Sequence, residues 1–296
     1  MTSRRTFIQQ AGLITAAVLA KPLVSCSALK AETGKIGIQL YTLREQLKGG
    51  VKDVISKVAQ AGYKEVETYG YSRKDKFWGL EPKAFAELLK ANGLTSPSGH
   101  YGFDEFLSTG KENDLQSYIE AAAILEQRYI TVPYLSQQMR SVADDYKRIA
   151  EGLNKAAEIC RRSNIGLAYH NHDFEFEKFD RTTGYQILLG ETDPALVKFE
   201  ADLYWIVRAG LDPVELFKQN KGRFVMWHVK DMDKTNPKIN TEVGAGSIDF
   251  KQIFKEAKTA GVEYIFVEQE NFSIDPYQSI SKSYKYVKND LLKLKS

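Results

Sequence analysis

A single-domain α/β fold closed as a (β/α)8 TIM barrel is what the sequence predicts, and three observations carry that prediction. From residue 35 to the C-terminus, short apolar or alternating runs are each followed by a longer amphipathic stretch, and eight strand-like runs can be counted. The joints between them are consistently short, which favours parallel pairing, and no linker or domain-like break interrupts the series. An open doubly wound sheet would carry a glycine-rich phosphate loop after its first strand. The stretch Gly37-Ile38-Gln39-Leu40-Tyr41-Thr42-Leu43-Arg44 contains neither G-x-G-x-x-G nor G-K-[ST].

Taken in order, the first strand is predicted over residues 35–41, followed by a helix over 51–61 whose apolar residues recur at three-to-four spacing and which stops at Gly62. A strand over 65–69 leads to a helix over 82–91, closed at Gly93 before the strand over 94–100. The helix over 114–126 precedes the strand over 129–132, and the helix over 142–162 precedes the strand over 165–172. Strands over 197–203, 224–230 and 264–268 complete the set, the last one entered through Ala260-Gly261-Val262. Asp212-Pro213 and Asp275-Pro276 have the chemistry of helix starts, an aspartate to cap and a proline in the first turn.

The first thirty residues read differently. Ser3-Arg4-Arg5-Thr6-Phe7-Ile8 precedes an apolar run from Ala11 to Ala20, with no acid before Glu32. That pattern resembles a twin-arginine export signal, and the run is too short for an ordinary transmembrane helix. Leu23-Val24-Ser25-Cys26 resembles a bacterial lipobox, in which the cysteine is lipidated; a plain cleavable signal with a coincidental cysteine is the other reading. The expected division is therefore an export segment over residues 1–30, with a candidate lipid anchor at Cys26, and a catalytic barrel over 31–296 in the periplasm. Without residues 1–25, 38 basic residues face 38 acidic ones, so the chain is formally neutral and has no basic stripe for nucleic acid. Cys160 lies in a helical stretch and is expected to be a buried apolar residue, with no intramolecular disulfide.

In a barrel, catalytic groups gather at the C-terminal ends of the strands. Strand five ends Tyr169-His170-Asn171-His172-Asp173, strand six holds Glu200-Ala201-Asp202, strand seven His228-Val229-Lys230-Asp231 and strand eight Glu268-Gln269-Glu270. Two imidazoles and two carboxylates from four consecutive strands suggest one divalent metal ion held by His170, Asp202, His228 and Glu268, with Mn2+, Fe2+, Co2+ or Zn2+ better suited than Ca2+. His172, Glu270 and Glu200 are each in phase with one of these, so a swap of ligand within either the His170/His172 or the Glu268/Glu270 pair stays open. Lys230 would project into the same mouth and favour a developing oxyanion. Tyr41, Glu67, His100 and Trp205 are candidate pocket residues for a sugar, alongside Glu270, with simple packing as the alternative for each. Gly244-Ala245-Gly246 is read as shaping a loop after strand seven.

These strand ends resemble the xylose-isomerase-like barrel superfamily, loosely called sugar phosphate isomerases/epimerases, over roughly residues 35 to 290. The carriers are Ile38-Gln39-Leu40-Tyr41, Tyr169-His170-Asn171-His172, Ala201-Asp202-Leu203-Tyr204-Trp205, Trp227-His228-Val229-Lys230-Asp231, Val243 to Phe250 and Val267-Glu268-Gln269-Glu270. The resemblance implies a metal that acidifies a C–H between substrate oxygens and stabilises an enediolate, with Glu268, His170, His172 and Lys230 as the catalytic candidates. Ketose epimerases of the family have a Glu where this chain has His170. That departure favours lyase or hydratase chemistry on an unphosphorylated sugar, such as a 3-keto-sugar or keto-glycoside, over isomerisation or epimerisation. A carbohydrate-binding lipoprotein without catalysis is the alternative from another class. A DNA endonuclease would need more metal ligands and a basic surface.

Overall fold

The computed structural model describes residues 34–294, and the predicted export signal and Cys26 lie outside the described residues. Eight parallel strands form a closed barrel: β1 (Gly37–Gln39), β2 (Glu65–Tyr69), β3 (Thr95–His100), β4 (Tyr129–Val132), β5 (Gly166–His170), β6 (Val197–Asp202), β7 (Phe224–Val229) and β8 (Tyr264–Val267). Each strand pairs with the next in sequence, and β8 closes on β1 through Gly37 opposite Phe266 and Ile38 opposite Val267. The strands are almost wholly buried because helices cover them outside and their own side chains fill the interior.

The helices over Val51–Ala61 and Pro82–Ala91 fall where the periodicity puts them; the others shift by a residue or two, to Asn113–Ile124 and Ala143–Arg161. Gly62 closes the first at φ 111°, and a Cβ there would strike the Tyr284 ring, so no other residue serves. Asp212 and Asp275 cap as expected, accepting from Val214 N–H and from Tyr277 and Gln278 N–H. Cys160 is fully buried in Ala143–Arg161, and burial pushes its thiol up to about 12.

The strand ends are shorter than predicted, for local reasons. The first strand stops at Gln39 because its side chain accepts the Tyr41 N–H and starts a 3-10 turn over Leu40–Leu43, which turns Tyr41 out to the rim. Strands five, seven and eight stop at His170, Val229 and Val267, so His172, Lys230 and Glu268 are loop residues just above the barrel. Beyond β7, the Asp231 carboxylate accepts N–H groups from Met232, Gly244, Gly246 and Ile248, pinning the glycine loop against the end of the strand. A Cβ at Gly246 would collide with the Met232 carbonyl, which explains the glycine there.

Candidate metal centre and substrate cavity

Register decides which side chains meet. His170 lies opposite Glu200 across β5 and β6, and Asp202 opposite His228 across β6 and β7. Inward-facing carboxylates at two depths result, one below the ring of histidines and one above it.

The lower layer is built on Glu67 and Glu200, both fully buried. Glu67 accepts from Gln39 Nε2 at 2.7 Å, the Ser98 hydroxyl at 2.6 Å and His228 Nε2 at 2.7 Å, with His100 Nε2 at 3.2 Å. One oxygen of Glu200, Oε2, faces three imidazole nitrogens: His100 Nε2 at 2.7 Å, His170 Nδ1 at 3.0 Å and His228 Nε2 at 3.2 Å. Its other oxygen has no hydrogen-bond partner among the described residues. Burial and the nearby Glu67 push the Glu200 carboxyl upward, but His228 and His100 outweigh them and hold it at about 2. Burial would likewise depress His100, yet Glu67 and Glu200 raise it to about 9.

The upper layer holds Asp202, His228 and Glu268. Asp202 Oδ1 caps the short helix Leu203–Arg208 by accepting from Tyr204 N–H at 2.9 Å and Trp205 N–H at 3.2 Å, while Oδ2 is buried and has no hydrogen-bond partner among the described residues. Around Oδ2 stand Lys230 Nζ at 3.8 Å, His170 Nε2 at 3.9 Å and His228 Nδ1 at 4.0 Å. Glu268 Oε2 lies 3.0 Å from His228 Nδ1 and 3.3 Å from Lys230 Nζ, which also donates to Glu270. Burial raises Asp202 to about 7 despite Lys230. Burial also opposes ionisation of Glu268, but Lys230 and His228 hold it well below the carboxylate range.

Of the four predicted ligands, Asp202, His228 and Glu268 lie together, whereas His170 falls in a second cluster with His100, Glu200 and His228. These buried His and carboxylate groups fit a metal site. Glu200 was visible in the sequence only as a residue in phase with Asp202; its place among three rings, and those of Gln39 and Ser98 on Glu67, were missed. Their inward phase on strands β1, β3 and β6 was the available signal.

Above both layers opens a cavity of about 520 Å³, a size that suits a small molecule. Tyr41, His100, His170, His172, Trp205, Lys230, Glu268 and Glu270 line it, joined by Tyr69 and Tyr134. Glu67, expected on the wall, is instead below the floor with both oxygens engaged. Tyr41 and Tyr134 are exposed at the rim, and Lys230 Nζ sits 5.3 Å from the Trp205 ring centroid. Burial, reinforced by Lys230, keeps His172 neutral, at about 3.

Behind His172, Glu175 is fully buried and accepts its backbone N–H at 2.9 Å and the Tyr169 hydroxyl at 2.7 Å. Burial raises Glu175 from 4.5 to about 8 against those hydrogen bonds. A group raised in the folded state contributes stability that is intact below about 4.5 and is lost as pH rises through about 8. Glu175→Gln is therefore expected to gain on wild type between those limits, by on the order of a few kcal/mol at pH 9. Urea denaturation of both proteins at pH 5 and pH 9 checks this, and a pH-independent difference would contradict it.

Residues 55–289 match the sequence model of the family described as xylose isomerase-like TIM barrel. The chain belongs to that family. Within this xylose isomerase-like group it is 24% identical over 275 residues to an inosose dehydratase of Clostridium tetani, covering 79% of this chain and 87% of that one. A solved structure of a sugar phosphate isomerase/epimerase from Parabacteroides distasonis is 26% identical, superposes with a TM-score of 0.77, and covers 88% of this chain and 96% of the other. At 14% identity and TM-score 0.67, the solved IolI protein, described with a binding zinc atom, shares the fold over 88% of this chain and 100% of that one.

Proposed function

We propose that this xylose isomerase-like barrel is a divalent-metal-dependent enzyme that removes a proton next to the carbonyl of an unphosphorylated sugar or keto-sugar, leading to elimination or hydration. The observation that carries this reading is Asp202 Oδ2, a buried oxygen without a hydrogen-bond partner among the described residues, with Lys230 Nζ at 3.8 Å, His170 Nε2 at 3.9 Å and His228 Nδ1 at 4.0 Å. Leaving such an atom unsatisfied is costly, and a cation shared with Glu268 Oε2 satisfies it. His170, Asp202, His228 and Glu268 are the proposed ligands. Two imidazoles in the set suit Zn2+, Fe2+ or Co2+ and also Mn2+. Such a cation polarises a carbonyl and lowers the acidity barrier of the neighbouring C–H.

The remaining roles fall to residues on the cavity wall. Lys230 donates to a developing oxyanion, and Trp205, whose buried Nε1 has no partner among the described residues, offers a ring face and a donor to sugar hydroxyls. His172 and Glu268 are the candidate proton acceptors, and Tyr41, His100 and Glu270 complete the substrate contacts. Dehydratase relatives and His170 in place of a second carboxylate support elimination. The Parabacteroides likeness supports isomerase or epimerase chemistry as the second reading. The Arg4-Arg5 pair and Cys26 support export to the periplasm with a lipid anchor.

Incubation with keto-sugars in D2O separates these outcomes. Loss of water or appearance of an enone is expected; deuterium at an inverted centre with the skeleton retained would favour epimerisation. Absence of both exchange and turnover across a broad panel would sink the enzyme reading.

A further inference from the structure

We infer that Glu200 is the positioning residue of the metal centre: through one oxygen it orients the rings of His100 and His170 and, together with Glu67, that of His228, so that His170 presents Nε2 and His228 presents Nδ1 to the cation. This rests on the metal reading above and adds what that reading leaves open, namely which nitrogen of each ring binds.

The argument is one of hydrogen-bond supply. An ionised carboxylate accepts only, so a ring nitrogen bonded to it carries the proton, unless the two share a cation, as His228 Nδ1 and Glu268 do in the loaded centre proposed above. His170 faces Glu200 with Nδ1 at 3.0 Å, which leaves Nε2 as its lone-pair nitrogen, 3.9 Å from Asp202 Oδ2. His228 faces Glu200 and Glu67 with Nε2, at 3.2 and 2.7 Å, which leaves Nδ1 toward Glu268 and Asp202. Rings on β5 and β7, the two strands flanking β6, thus offer opposite nitrogens to the same point because the Glu200 carboxylate of β6 lies beneath both. His100 supplies the third N–H and completes the layer, its ring stacked 5.3 Å from that of His228 at 14°. The four site histidines are all the histidines of the chain, so ring signals carry no background.

Zinc-loaded, 15N-labelled protein and long-range 1H–15N correlation of the imidazoles test this. Two coordinated rings of opposite tautomer are expected, one bound through Nε2 and one through Nδ1. In a chelator competition, Glu200→Gln is expected to lower zinc affinity by about 10- to 100-fold, the usual effect of removing a partner behind a ligand. If that variant does not fold, the wild-type tautomer pattern still decides. Coordinated rings of like tautomer, or a folded Glu200→Gln that binds zinc as tightly as wild type, would overturn the assignment of Glu200 alone. A wild type that takes up no zinc would overturn the metal reading and this inference with it.

Discussion

His228→Ala is expected to abolish metal binding and turnover together and to lower the stability of the metal-free protein by about 3–5 kcal/mol. His228 belongs to both ligand clusters and is fully buried between Glu67 and Glu200 on one side and Asp202 and Glu268 on the other. Burial disfavours its charge, but Glu200 and Glu268 raise its pKa well above the ordinary value, so in the metal-free protein it carries positive charge between the two carboxylate layers. Alanine there leaves buried negative charges facing each other across a cavity. For a domain of this size the melting temperature should fall by roughly 6–20 °C. Calorimetry on the metal-free protein, with metal analysis of the loaded one, reads both effects. Normal metal content in the variant would exclude His228 as a ligand.

Lys230→Met is expected to move metal affinity and turnover in opposite directions. Lys230 Nζ lies 3.3 Å from Glu268 Oε2 and 3.8 Å from Asp202 Oδ2, the oxygens proposed to hold the cation. Burial opposes its charge, yet Glu268, Asp202 and Glu270 keep it protonated far into the alkaline range. It therefore competes electrostatically with the metal, and its removal should tighten metal binding. The same removal takes away the fixed donor for negative charge developing on substrate oxygen, a loss of about 100- to 1000-fold in kcat. Titration with metal and steady-state kinetics on the same preparation check the pair. Weaker metal binding, or unchanged kcat, would show that Lys230 serves the fold rather than the reaction.

Much of this was legible in the sequence because barrel strands are short, apolar and followed by strong helix signals. The strands at Glu65–Tyr69 and Tyr129–Val132 and the helices at Val51–Ala61 and Pro82–Ala91 occur with the predicted bounds. Strand ends were harder, since a side chain that bonds to its own backbone, as Gln39 does to Tyr41, ends pairing without any change in hydrophobicity. Period-two phase shows which residues face the mouth but not at what depth. For that reason Asp202 and Glu200 looked equivalent in the sequence, although one borders the cavity residues and the other lies beneath three imidazoles. Glu67 was misjudged for the same reason, since its phase is right and its depth is not.

The division of labour inside Asp202 bears on how this barrel can diversify. One oxygen starts the helix Leu203–Arg208 and the other reaches into the centre, so the side chain must be this short and must stay acidic to serve both. His170 has no such duty: its ring nitrogens meet only other side chains. A change at position 170 therefore acts through Glu200 and the centre, while a change at position 202 also uncaps the helix it begins. On the proposed reading, β5 can be altered at position 170 without uncapping a helix, whereas β6 cannot at position 202.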